Sequence, residues 1–246
     1  MMKINVSIII ATFNAGKTLE RALESIRNQS FQSWECIIVD GASKDSTIDI
    51  VKKYVNIDVR FKYISEPDKG IYDAFNKGWK MAVGSLIYYL GSDDALTKDG
   101  ISELVNKIED NDVVYGNVIL QYQNGKVKLQ KGTEKRNFYS PMTFCCHQSV
   151  IMKRDVIEKL GGFNQMYCIL ADWDLLRRAG QNGYKFKYID IPVAVFSVGG
   201  LSSDNYNVPI EAYKIYSKNN TLFISIMTLL KQLIRTTLVK IKHRIM

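Results

Sequence analysis

No run of 18 apolar residues occurs in this chain of 246 residues, so a helix that crosses a bilayer is not expected. Cysteine is sparse. Cys36, Cys145, Cys146 and Cys168 have neither the CxxC spacing of a structural zinc site nor the density of a disulfide framework, which fits a reducing cytosol. The apolar part of MMKINVSIII is too short for a secretory signal and runs directly into a strand-like segment. Internal repeats and low-complexity stretches are missing too. With 46% hydrophobic and 24% charged residues, extensive disorder is excluded, and the length allows one large core without requiring two full domains.

Acidic residues are scarce at one end. The formal net charge is +8, and from Glu211 onward seven Lys or Arg face that single carboxylate. Thr221 to Met246 interleaves Leu222, Phe223, Ile226, Leu229, Leu230, Leu233 and Ile234 with Lys231, Arg235, Lys240, Lys242 and Arg244. Such a basic amphipathic stretch suits either the surface of an anionic membrane or packing on the domain or a second subunit.

What is present is an alternation. Ile4 to Ile10 is a β-branched run of the kind buried on both faces of a sheet, and Leu19, Ala22, Leu23 and Ile26 share one face of a helix over 18–29. A second strand over 34–39, a helix over 47–54, a third strand over 59–64, a helix over 71–83 and a fourth strand over 86–90 follow. Strands alternating with helices at this spacing predict βαβ units and a parallel sheet. The polar breaks at 11–14, 40–46, 65–70 and 91–94 then gather on one rim, where open α/β sheets bind ligands.

The second half changes character. A helix is expected over 98–110, a strand over 113–117, a hairpin over 118–130 turned at Asn124-Gly125, a strand over 146–152, and a helix over 154–160 stopped by Gly161-Gly162. A helix over 172–182 and a strand over 184–196 interrupted at Pro192 complete it. The expected division is one domain over 1–205, with a nucleotide-binding half over 1–97 and an acceptor half over 98–205, and a helical tail over 206–246.

Four short segments carry the chemistry. Gly91-Ser92-Asp93-Asp94 delivers two adjacent carboxylates at a strand's carboxyl end, a placement that suits a divalent cation held against a diphosphate, although Asp is also a favoured turn residue. Taken in order with Ser7-Ile8-Ile9-Ile10-Ala11-Thr12-Phe13-Asn14, Ile37-Ile38-Val39-Asp40-Gly41-Ala42-Ser43 and Ala171-Asp172-Trp173-Asp174, it resembles the motif series of family 2 glycosyltransferases over roughly residues 4 to 200. The resemblance implies a GT-A fold, a nucleotide-sugar donor with UDP-sugars favoured, Mn²⁺ or Mg²⁺, and inversion at the anomeric carbon.

Carried onto this chain, the resemblance makes Asp172 the catalytic base, with helix capping as its other reading. It assigns the nucleotide to Ala11, Thr12, Phe13, Asn14, Asp40, Asp68, Gly70, Asn76, Ser92 and Asp93, and the metal to Asp93 and Asp94. Asp40 is equally a turn-forming residue, and Phe13 equally a core ring. Many family members carry Asp where Gly91 stands and Glu where Ala171 stands, so the acidic motifs here are lean. His147, one of only two histidines, is a candidate contact to diphosphate, metal or acceptor. Phe163, Tyr167 and Trp173 suit an acceptor sugar platform or the core alike.

The expected activity is transfer of one sugar to a saccharide or lipid-linked saccharide acceptor in surface polysaccharide synthesis. The QxxRW motif and spanning helices of the family's processive members are absent. The expected location is the cytoplasm, at the inner face of the membrane if the tail binds lipid, and no nucleic-acid partner is expected. A sugar nucleotidyltransferase is the rival enzyme, for which ATFNAGKT is a poor phosphate loop. A non-catalytic binding module on the same fold is the rival of another class.

Overall fold

A computed structural model describes residues 5–139, 143–199 and 207–217, together with 226, 227, 229, 230, 233, 234 and 237. Most of the stretch expected as a basic tail therefore lies outside the described residues. Four parallel strands form the first half of the sheet: β1 (Val6–Thr12), β2 (Trp34–Asp40), β3 (Phe61–Ser65) and β4 (Leu86–Gly91). They stand in the order β3-β2-β1-β4, as right-handed βαβ crossovers require.

The sheet continues through β8 (Val150–Lys153), β6 (Val113–Gln121) and β9 (Phe186–Ser197) to the two-residue β5 (Ala95–Leu96), and β7 (Val127–Gln130) pairs with β6 as a hairpin. Antiparallel β4–β8, β6–β8 and β5–β9 pairs make it a mixed sheet.

Side-chain alternation along the central strands explains the layering. Ile9, Ile37, Val39, Ile87 and Tyr89 point to one face. Ile8, Ile10, Cys36, Ile38, Tyr88 and Leu90 point to the other. Helices α1 (Leu19–Arg27), α2 (Thr47–Ile57) and α4 (Gly100–Val105) cover the second face. The first is covered by α3 (Ile71–Met81), α5 (Arg154–Lys159), α6 (Ala171–Gln181) and α7 (Asn207–Ser217). Residues 207–217, read from sequence as the start of the tail, thus bury Ile215 and Tyr216 in the core of the domain.

Four local expectations need correction. The helix expected over 98–110 is only Gly100–Val105, followed by turns. The strand expected to end at Asn117 runs on to Gln121, so the hairpin's first arm is the same strand. Pro192 does not end β9: it faces Asn117 at a register shift, where a missing N–H costs the ladder least. The strand expected from Cys146 opens instead with a 3₁₀ turn, His147–Ser149, closed by the Ser149 amide and hydroxyl donating to the Cys146 carbonyl.

Candidate active site

The loops after β1, β2 and β3 converge on Gly41. A Cβ there would lie 2.7 Å from a carboxylate oxygen of Asp68 and 3.3 Å from the ring of Phe13, so a side chain at this position would push Asp68 aside. Phe13 is 63% exposed, an aromatic face left open at the rim rather than a core ring. Asp68 accepts the Gly70 amide on Oδ1 at 2.8 Å, and Gly70 holds φ at 111°, a conformation open to glycine.

The other residues expected at the nucleotide divide. Ala11 and Thr12 end β1 in buried positions, and the Thr12 carbonyl accepts the Gly41 amide. Asn14, at φ 50°, donates its amide to Ser43 Oγ and accepts the Lys44 amide. Asp40 is fully buried. Its carboxylate accepts the Ser43 amide at 3.0 Å, the Ser43 hydroxyl at 2.5 Å and the Ser65 hydroxyl at 2.7 Å. It braces its own loop, as its turn-forming alternative required. Asn76 is not brought to the rim: its amide group donates to the Phe163 carbonyl and accepts the Phe163 amide and the Trp79 indole N–H.

The acidic loop contains two unlike carboxylates. Asp93 and Ser92 are half-buried, whereas Asp94 is 1% exposed and accepts Gln148 Nε2 at 3.0 Å and the Ser197 amide at 2.8 Å. Burial, and then the charge of Asp93, push the Asp94 carboxyl up to about 6. Oxygens of both converge on the bare face of Gly91, where a Cβ would collide with each. Arg21 and Ser197 clamp the loop from behind by donating to the Asp93 carbonyl.

Two converging carboxylates, the buried one with a raised pKa, fit a small hard cation. Among the described residues no group of three His, Cys, Asp or Glu can hold a metal, so substrate oxygens would complete its shell.

Asp172 begins α6 and is the most heavily held carboxylate at the rim. Oδ1 accepts the Trp173 amide at 2.7 Å and the Tyr72 hydroxyl at 3.1 Å, and Oδ2 lies 3.0 Å from His147 Nδ1. Burial raises its pKa, but the bonds from His147, Trp173 and Tyr72 outweigh that and hold it below the ordinary carboxylate value. Burial likewise pushes His147 down, yet Asp172 beside it, with Asp94 farther off, leaves its pKa net raised. With Nδ1 committed to Asp172, His147 Nε2 is buried and has no hydrogen-bond partner among the described residues.

One short turn therefore joins both halves of the site. His147 holds Asp172, and its neighbour Gln148 holds Asp94. Sequence reasoning missed Tyr72, Gln148, Arg21 and Ser197. Gln148 had a faint signal in its place beside His147, while Arg21 and Ser197 meet the acidic loop only through the fold. Of the residues read as an acceptor platform, Phe163, Tyr167 and Trp173 are each 5% exposed or less and belong to the core.

Comparison with known proteins adds an independent line. The profile of Glycosyl transferase family 2 matches residues 7–161. A PGL/p-HBAD biosynthesis glycosyltransferase of Mycobacterium bovis is 34% identical over 208 residues, 80% of this chain and 78% of that protein. The GalNAc(5)-diNAcBac-PP-undecaprenol beta-1,3-glucosyltransferase of Campylobacter jejuni is 32% identical over 143 residues, 56% of this chain and 46% of that one. Among solved structures, a TarS fragment from S. aureus in complex with UDP superposes with a TM-score of 0.67 at 20% identity, covering 93% of this chain and 70% of that one. A Pyrobaculum calidifontis mannosyltransferase with GDP-Man and Mn²⁺ gives 0.69 at 18% identity, covering 89% and 66%. These likenesses establish a GT-A fold.

Proposed function

Because this chain belongs to glycosyl transferase family 2 and is a glycosyltransferase of GT-A fold, we propose that it is an inverting, metal-dependent enzyme. In this reading it moves one sugar from a UDP-sugar to a saccharide or lipid-linked saccharide acceptor. The observation that carries the reading is the His147-Gln148 turn, which ties a proton-accepting carboxylate to the acidic loop.

The proton's destination follows from counting lone pairs. A carboxylate accepts about four hydrogen bonds. Oδ1 of Asp172 already accepts two and Oδ2 one, which leaves a single site on Oδ2, the oxygen that His147 orients. The acceptor hydroxyl gives its proton to Oδ2 as its oxygen bonds to the anomeric carbon, and the bond from that carbon to the diphosphate oxygen breaks on the opposite face, inverting the configuration. The lowered pKa keeps Asp172 ionised at neutral pH, ready to receive.

Asp93 is the accessible carboxylate for Mn²⁺ or Mg²⁺, and Asp94 stands behind it. A cation held by these residues would offset the charge gathered on the departing nucleoside diphosphate. The open ring of Phe13 offers a stacking face for the base, so Phe13→Ala is expected to weaken UDP binding by about 1–3 kcal/mol, roughly 5- to 150-fold, in calorimetric titration. An unchanged affinity would remove Phe13 from the donor site.

Lipid-linked acceptors are named for relatives, and they suit the basic apolar stretch over 221–246, which in this reading rests on the inner face of the membrane. Among the described residues no helix is long and apolar enough to cross a membrane. The reading is tested by incubating the protein with a panel of UDP- and GDP-sugars, Mn²⁺ and lipid-linked saccharides. Released nucleoside diphosphate and an acceptor heavier by one sugar, with inverted anomeric configuration by NMR, are expected. Donor binding without turnover for any pair would favour the binding-module alternative.

A further inference from the structure

We propose that Glu211, delivered from α7, is the positioning residue for the base of the proposed transferase: its carboxylate fixes the strand of backbone that leads into Asp172. This inference rests on the reading of Asp172 above.

The geometry is a three-point grip. Glu211 Oε1 accepts the Cys168 amide at 2.7 Å, and Oε2 accepts the amides of Ile169 at 3.0 Å and Leu170 at 2.9 Å. Three successive N–H groups turned onto one anion form a concave nest, and bonds to an ionised acceptor are the strong ones. Glu211 is 5% exposed, so water competes poorly for these amides.

Nothing local does this work. The residue preceding α6 is Leu170, which has no side-chain cap to offer, and Asp172 itself accepts only the amide next to it. The helix entry is therefore fixed from outside, by a residue 41 positions beyond Leu170. Two further contacts make the grip bear on the base. The single hydroxyl proton of Tyr72 is shared between the Ile169 carbonyl at 2.6 Å and Asp172 Oδ1 at 3.1 Å, so a shift of the 168–170 backbone moves the hydroxyl that orients Asp172. Trp173, the residue after the base, stacks on Tyr216 of α7 at 5.9 Å with 9° between the rings. Displacement of a reacting group by about 1 Å costs on the order of 100-fold in rate, so this support matters for turnover well before it matters for folding.

The experiment compares Glu211→Ala and Glu211→Gln with the wild type in three readouts. These are kcat for sugar transfer, the dissociation constant for UDP with Mn²⁺, and the hydrogen-exchange rates of the Cys168, Ile169 and Leu170 amides by NMR. Glu211→Ala should lower kcat by about 10- to 100-fold, leave UDP binding within about twofold, and accelerate exchange selectively at those amides. Glu211→Gln keeps one carbonyl oxygen and should recover part of both losses. A folded Glu211→Ala protein with wild-type kcat overturns the inference, as does a kcat loss matched by an equal loss of UDP binding. Should the Ala variant not fold, wild-type kcat in Glu211→Gln overturns it instead. A wild type that turns over no donor defeats the transferase reading, and the exchange rates still decide whether Glu211 grips the loop.

Discussion

Replacing Asp172 by Asn is expected to lower kcat by about 10²- to 10⁴-fold while UDP affinity in Mn²⁺ stays unchanged, as single-turnover transfer and calorimetric titration would show. The substitution is close to isosteric. An Asn carbonyl in the place of Oδ1 still accepts the Trp173 amide and the Tyr72 hydroxyl, so the entry of α6 stays formed. What disappears is the one free acceptor site on Oδ2, because an amide NH₂ only donates. Full transfer by Asp172→Asn would mean that another group takes the proton.

The same variant should lose a pH-dependent part of stability. His147 has its pKa raised above 6.5 by Asp172, so its share of the pair is complete below pH 6.5 and fades as pH rises through the raised value. Asp172, lowered from 3.8, contributes above that value and loses its share only as pH falls through the lowered one. The melting-temperature gap between wild type and Asp172→Asn should therefore be widest between about pH 4 and 6.5 and narrow in alkali.

Asp94→Asn should move stability and activity in opposite directions. In metal-free protein the Asp94 carboxyl rises from 3.8 to about 6, so ionising it at pH 7.5 works against the native state. A rise of that size corresponds to about 3 kcal/mol, and an imperfect replacement should recover about 2 kcal/mol of it. The sign follows from linkage: a group with a raised pKa supports folding most below its unfolded value and loses that support as pH climbs past the folded one. The variant should melt higher than the wild type at pH 7.5 and lose that advantage near pH 4, where only the cost of the imperfect replacement remains. Transfer should meanwhile fall by about 10²-fold or more, since the loop would present one negative charge to the cation in place of two. Stabilisation of the wild type by added Mn²⁺ should also be reduced. A variant both active and less stable than the wild type would sink this account of the loop.

The sequence was most legible where local pattern and fold agree. The β-branched runs of β1 and β2 and the helical face of α1 have one reading each, and four parallel strands in a row oblige their carboxyl-end loops to share a rim. Asp93, Asp94 and Asp172 stand out as candidates in the sequence because the order of four family-like motifs picks them, and His147 because the chain has only two histidines. Less was legible wherever a side chain has two equally good uses. Nothing in the letters distinguishes an Asp that accepts from a ligand from one, like Asp40, whose oxygens are taken by Ser43 and Ser65. Asn76 is a similar case, turned to Phe163 by the face of α3 it occupies. The supports from Arg21, Gln148, Ser197 and Glu211 depend on contacts between residues more than 40 positions apart, which no local spacing reveals.

The acidic loop lies on a seam. The chain leaves β4 at Gly91 and, directly after Asp94, pairs as β5 with β9. Among the described residues the hydrogen bonds to the Asp94 carboxylate come from the second half, from Gln148 and Ser197. The two halves of the chain, proposed to bind donor and acceptor, are consequently not interchangeable parts. A fragment ending near residue 97 would carry every motif residue of the donor site and still leave its acidic loop unsupported. An exchange of acceptor halves between relatives, made to redirect sugar transfer, has to bring along the two residues that grip Asp94 or lose the donor together with the old acceptor.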